Sequence, residues 1–274
     1  MTCTWRQSRQ HEIQIHPSRK FNMRKTLITT LASSALFVGL SASAAEIKVL
    51  TAGAFKPVIT AIVPEFEQRT GHKVTVENDT AGALTKRIAG GEAFDLVVLT
   101  PGALTELTKS GKVAEGSTKP LARVAIGVAV KKGAVAPDIS TVAAFQSALL
   151  AARAVAYIDP AAGGSSGIYL TQLFEKMGVA DRIKSKAVLV PGGLVAQRLV
   201  TDQADFAIHQ ISEILAVPGV TLVGPIPAEI QNYTIYAGGI SAVARDGPVA
   251  RALLDTLSSP AARELLKVKG MEGP

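Results

Sequence analysis

Cysteine and tryptophan are almost absent: the 274-residue sequence has one of each, Cys3 and Trp5, and aromatic residues make up only 5% of it. A single thiol excludes an intrachain disulfide and a cysteine-ligated metal set, and beyond Cys3 there is no thiol nucleophile and no lipid-anchor cysteine. Histidine is also scarce. Past residue 16 only His72 and His209 remain, far apart and with no acidic cluster beside them, so no metal-ligand spacing is present. No phosphate-binding P-loop occurs, and no fixed-period repeat or low-complexity tract is visible. After the N-terminal region no apolar run is long enough to span a bilayer. The expectation is a protein without metal or cofactor.

The N-terminal 45 residues are patterned differently. Met23-Arg24-Lys25-Thr26 is a short basic region, Leu27 to Leu40 is an apolar run, and Ser41-Ala42-Ser43-Ala44-Ala45 offers small residues for cleavage near Ala44 or Ala45. That is the layout of a secretory signal peptide, preceded by a polar extension over 1–22, so the natural start is Met1 or Met23. Arg24-Lys25 is not a twin-arginine pair, which favours the general secretion route. The charge agrees with export of a near-neutral protein. Positions 1–45 hold six of the 29 basic residues and one of the 22 acidic ones, leaving 23 against 21 beyond them. No nucleic-acid partner follows from that balance. The expectation is a soluble, monomeric protein of the bacterial periplasm.

From residue 46 the chain alternates strand and helix, which predicts an α/β fold with parallel strands. Strands are expected over 46–50, 72–76, 95–99, 121–130, 154–158, 186–190, 205–208, 221–223 and 233–243. Helices are expected over 55–69, 83–89, 101–109, 141–151 (capped by Ser140), 167–177, 194–201, 248–257 and from Pro260 to before Gly270. The strands over 121–130 and 233–243 are long enough to pass between two lobes. Lobe 1 is then discontinuous, 46–125 with 233–274, and lobe 2 covers 126–232. In such sheets ligands bind at loops beyond the strand C-termini, and a cleft between lobes suits a small ligand.

One loop draws attention, Asp159-Pro160-Ala161-Ala162-Gly163-Gly164-Ser165-Ser166-Gly167. It delivers two serines to a helix whose apolar stripe is Ile168, Leu170, Leu173, Phe174 and Met177. Free N–H groups and the positive end of the helix dipole suit such a place to an anion. The plainer alternative is a βα turn with Ser166 as N-cap. A third is the Gly-x-Ser-x-Gly elbow of serine hydrolases, with Ser165 as nucleophile, His209 as base and Asp202 or Asp205 behind it.

Four features together resemble the type 2 periplasmic solute-binding proteins of ABC importers, in their molybdate-binding branch. They are the strand followed by Ala52-Gly53-Ala54-Phe55; Thr80-Ala81-Gly82-Ala83-Leu84 with Phe94-Asp95-Leu96-Val97-Val98 after it; the helix start Gly167-Ile168-Tyr169; and the ending from Ser258-Ser259-Pro260 to Lys269-Gly270-Met271. The resemblance implies a Venus-flytrap fold, a small anion between the lobes, and delivery to a permease in the inner membrane. Molybdate binders of the family offer a serine where this chain has Ala54, a Ser-Ser pair where it has Ala81-Gly82, and a tyrosine where it has His209.

The ligand-binding residues expected on these grounds are Gly53, Ala54, Ala81, Gly82, Ser165, Ser166, Gly192, Gly193 and His209. Backbone N–H groups at Ala54, Gly82, Ser166 and Gly193 need no particular side chain to bind an oxyanion. His209 can add charge near neutral pH, and Arg87 or Arg198 could clamp an organic carboxylate. The function expected is non-enzymatic capture of a molybdate-like oxyanion or small carboxylate. A secreted serine hydrolase using Ser165 and a ligand-sensing binding protein are the alternatives.

Overall fold

Residues 44–274 are described by a computed structural model; the extension and leader over 1–43 lie outside the described residues. β1 (Glu46–Ala52) passes through a 3-10 turn over Gly53–Phe55 into α1 (Lys56–Thr70), whose buried face is Val58, Ile59, Ile62 and Phe66. That helix stops at Gly71, whose left-handed conformation (φ 73°) returns its N–H to Glu67 O. β2 (Lys73–Asp79) leads to α2 (Ala81–Ala89), capped by Thr80 Oγ1 accepting from Ala83 N. β3 (Leu96–Leu99) is buried throughout and leads to α3 (Pro101–Lys109). β4 (Lys119–Lys131), the longest strand, carries the chain onward to α4 (Val142–Ala151). The cap of α4 is Thr141, not Ser140: its hydroxyl accepts from Ala144 N.

β5 (Val155–Ile158) is followed by a 3-10 turn over Pro160–Ala162 and by α5 (Ser165–Lys176). Leu170, Leu173 and Phe174 are its buried stripe, while Ile168 faces outward, 43% exposed. α6 (Ala180–Lys184), β6 (Ala187–Val190), α7 (Gln197–Val200), β7 (Phe206–Gln210), α8 (Ile211–Ile214) and β8 (Val220–Pro225) complete the middle of the chain. β9 (Tyr233–Ile240) returns, and α9 (Gly247–Leu257) and α10 (Pro260–Val268) finish it. Among the described residues no helix is long and apolar enough to cross a membrane.

The strands form one path, β2-β1-β3-β9-β4-β7-β5-β6, with β8 also on β4. The sheet is mixed rather than parallel. β1 pairs in parallel with β2 and β3, and β5 with β6 and β7, as helical crossovers require. β4 and β9 run antiparallel to each other and to their other neighbours, because β4 carries the chain out of the first lobe and β9 brings it back.

One apolar core takes residues from both ends, Ile47 to Val124 and Tyr236 to Met271. Two smaller cores, over Ile126 to Ile226 and Ala129 to Val217, fill the rest. The result is a two-lobed α/β protein whose first lobe is discontinuous and whose lobes share two crossing strands. Each fully buried Phe or Leu contributes about 1.5–3 kcal/mol, and Phe55, Phe66 and Phe145 are the largest such side chains.

Candidate functional site

The C-terminal ends of β1, β2, β5, β6 and β7 converge on a cavity of about 30 Å³, with Glu213 of α8 and Tyr236 of β9 also in its wall. That volume holds one or two waters, or one carboxylate-sized group. Seven of the nine expected residues line it: Gly53, Ala54, Ala81, Ser165, Ser166, Gly193 and His209. Gly82 and Gly192 do not. The N–H of Gly82 is spent on Gly163 O at 3.0 Å, a backbone bond that ties one lobe to the other. Gly192 lies toward the Asp79 carboxylate, 3.7 Å from where its Cβ would be.

The start of α5 is open. Its N-cap is Gly164, and no side chain caps it, so the first-turn N–H groups, those of Ser165 and Ser166 among them, have no intrahelical acceptor. Ser166 is therefore a buried residue of the first turn rather than the N-cap. Gly167 lets the turn sit on the end of β5, since a Cβ there would fall 2.2 Å from Ile158 O.

Ser165 belongs to a different network from the one a hydrolase needs. Its Oγ accepts from Gln210 Nε2 and Thr234 Oγ1, each at 3.3 Å, and it stands in the first turn of a helix, not on a strand-to-helix elbow. Asp205 accepts from the N–H groups of Arg153 and Ala154, and Asp202 pairs with Lys131 at 2.7 Å. Neither is directed to His209, and the triad is not assembled.

His209 is 2% exposed and faces Glu213, Nε2 to Oε2 at 3.5 Å. Burial pushes the imidazole down to about 3 and the carboxyl up to about 8. At neutral pH the pair is therefore an uncharged imidazole beside a protonated carboxyl, which corrects the expectation of a cationic histidine. His209 Nδ1 and Gln210 Oε1 are buried without a hydrogen-bond partner, a costly state unless something else satisfies them. The Glu213 carboxyl reaches the end of β1, where a Cβ on Gly53 would lie 2.5 Å from Oε1. Tyr236, buried beside Ser165 and Glu213, has its hydroxyl pushed up, chiefly by burial.

Neither expected arginine reaches the cavity. Arg87 is held by Glu92 at 2.6 Å and by Glu77 at 2.5 Å, and these bonds raise its pKa and lower Glu92 to about 2. Arg198 donates to Gln203 Oε1 at 2.8 Å. No Lys or Arg lines the small cavity, so an anion there would meet neutral donors only. Among the described residues no group of three or more His, Cys, Asp or Glu side chains could hold a metal.

Sequence reasoning missed Asn78, Asp79, Thr80, Gln210, Glu213 and Tyr236, all of which line the cavity. Glu213 comes beside His209 because the chain turns from the end of β7 directly into α8, a strand-to-helix junction that no local spacing marked. Nothing local marked Tyr236, which arrives on the returning strand.

The sequence profile of the family described as "Bacterial extracellular solute-binding protein" matches residues 47–272. A Pseudomonas sp. protein named aconitate isomerase is 35% identical over 230 residues, 82% of this chain and 86% of that one. The molybdate-binding protein ModA of Azotobacter vinelandii is 26% identical over 248 residues, 88% and 95% of the two chains. The solved structure of the Azotobacter vinelandii periplasmic molybdate-binding protein superposes with a TM-score of 0.70 at 18% identity, over 83% of this chain and 99% of that one. Sequence and fold agree: the chain belongs to the family of bacterial extracellular solute-binding proteins.

Proposed function

We propose that this protein captures a small organic polycarboxylate between its lobes in the periplasm and passes it to an ABC permease, acting as a monomer after removal of its leader. The carrying observation is the cavity wall itself. Neutral donors, the open first turn of α5, Ser165 and Ser166, and the amide of Gln210, surround a space the size of one carboxylate. The carboxyl of Glu213 and the imidazole of His209 complete the wall in place of further hydroxyls. A polycarboxylate can turn one end to the donors and the rest of its skeleton toward Glu213. The relative named aconitate isomerase makes aconitate the first candidate.

A thermal-shift panel tests this, with trans-aconitate, cis-aconitate and citrate against molybdate, tungstate, sulfate and phosphate. Ligand at about a hundred times its Kd adds roughly 2.7 kcal/mol, a readily visible shift. Stabilisation by the carboxylates is expected; stabilisation by molybdate or tungstate alone would overturn the proposal.

The pairing of His209 with Glu213 favours a second reading, in which the bound carboxylate is isomerised as well as carried. The name of the Pseudomonas relative supports it. Conversion of trans- to cis-aconitate by the purified protein separates it from plain carriage.

A further inference from the structure

The small cavity is not the whole of the cleft. A second cavity, of about 470 Å³, lies against it, and the two share Gly53, Asn78, Gly193 and Glu213 in their walls. The chemistry of the two differs. The small one has only neutral donors, whereas the large one is lined by Lys56 at the start of α1 and Lys269 just past α10. Neither lysine makes an ion pair among the described residues. A ligand with carboxylates at both ends can therefore place one in the donor ring and another near the lysines, so that its carbon skeleton passes the shared wall.

Glu213 is the only titratable side chain common to both walls. Its carboxyl lies against the bare backbone of Gly53 on one side and 3.5 Å from His209 Nε2 on the other. The remaining ionisable groups around it are Tyr236 from β9, Asp79 from β2, and the two lysines of the larger cavity. An anion carrier gains nothing from a carboxyl at this place that an amide of the same shape would not supply without the risk of ionising against its ligand. A group that takes up and returns a proton needs a titratable side chain, which a carboxyl supplies and an amide does not.

We infer that Glu213, at the junction of the two cavities, moves a proton between two carbons of a bound unsaturated polycarboxylate, with His209 positioning its carboxyl; this rests on the polycarboxylate reading above. In the fraction of molecules in which Glu213 is ionised, its carboxylate removes a proton from the saturated carbon that lies between a carboxylate and the double bond. The C–H electron pair shifts through the double bond, and the negative charge spreads over the three carbons and the terminal carboxylates. Glu213, now protonated, returns the proton to the carbon that was vinylic. The double bond has moved by one position, the geometry about it is free to differ, and no proton or electron is gained or lost. The raised pKa of Glu213, about 8, lies close to neutral operating conditions, where general acid–base exchange is most effective.

The test uses the purified protein with trans-aconitate in D2O, followed by proton NMR, with calorimetry of trans-aconitate binding on the same samples. Wild-type protein is expected to form the cis isomer and to exchange the carbon-bound protons. In Glu213→Gln turnover should fall by about 100-fold or more, a far larger change than in calorimetric affinity, and Glu213→Asp should recover part of it. His209→Gln should shift the pH at which turnover is half-maximal, the mark of a positioning residue. Binding without isomerisation or exchange by the wild type, or turnover retained by Glu213→Gln, would overturn the inference while leaving the carboxylate reading intact. Absence of binding by any carboxylate would overturn both.

Discussion

At the scale of single residues, His209 and Glu213 make a definite claim about pH. Each is ionised in the unfolded chain over a range where burial keeps it neutral in the fold. The His209 imidazole falls from 6.5 to about 3, so below 6.5 the unfolded state binds the extra proton and stability drops as pH falls toward 3. The Glu213 carboxyl rises from 4.5 to about 8, so the folded state holds the extra proton and stability drops as pH rises toward 8. Between 4.5 and 6.5 both states bind one proton in total, and the two effects cancel. The expected contribution of the pair is a plateau with a loss on each side, read by thermal denaturation across pH 3–9. Glu213→Gln should remove the alkaline loss and leave the acid one. Retention of the alkaline loss in that variant would place its origin elsewhere. Two other residues carry predictions about binding. Ser166→Ala should weaken ligand binding by about tenfold, the worth of a hydrogen bond to a charged group, with little change in Tm; unchanged affinity in calorimetry would remove Ser166 from the site. Gly53→Ala should displace the Glu213 carboxyl, because the new methyl would sit 2.5 Å from Oε1.

At the scale of elements, the lobes meet through backbone. Gly82 at the start of α2 donates to Gly163 O, and Thr80 Oγ1 donates to Ala162 O, so the α2 and α5 loops close on each other over the cavity. The approach is close enough that a Cβ on Gly82 would be 2.7 Å from Gly163 Cα. Neither backbone can give without moving its lobe. Gly82→Ala should therefore hold the lobes apart, lowering ligand affinity by tenfold or more while changing Tm by only a few degrees. Small-angle scattering of the ligand-saturated variant should show a larger radius than wild type, and equal radii would refute the interpretation. The same pair explains two outcomes of the sequence reading. Gly82 was expected to offer its backbone N–H to the ligand, but that N–H goes to Gly163 O of the other lobe. Arg87 was legible as a cation near a site loop, yet its guanidinium is engaged by Glu77 and Glu92 along the outer edge of β2 and α2. Local sequence reports which groups a loop offers; which neighbour reaches them first depends on the folding of distant segments.

At the scale of the molecule, one continuous sheet joins lobes whose cores are separate, and β4 and β9 are the strands that link them. Phe145 lies in a second-lobe core remote from the cavity, and Phe145→Ala should cost about 3–5 kcal/mol of stability. Denaturant titration measures it, and a cost under about 1 kcal/mol would mean that this core does not contribute as its burial implies. Ligand affinity measured on the folded variant should stay near wild type.

The alternation of apolar and polar residues, the helix-start residues Ser259 and Pro260, and the stop at Gly71 were enough to predict an α/β chain with strands and helices close to their observed places. These are local properties, set by side-chain period and backbone conformation within a few residues. Only the tertiary structure decided that the sheet is mixed, that α5 opens on Gly164 without a side-chain cap, and that Tyr236 enters the cavity from the returning strand. It also decided the charge of His209. Its titration depends on the apolar environment and the carboxyl that folding packs around it, and an imidazole read alone is a cation near neutrality where this one is neutral.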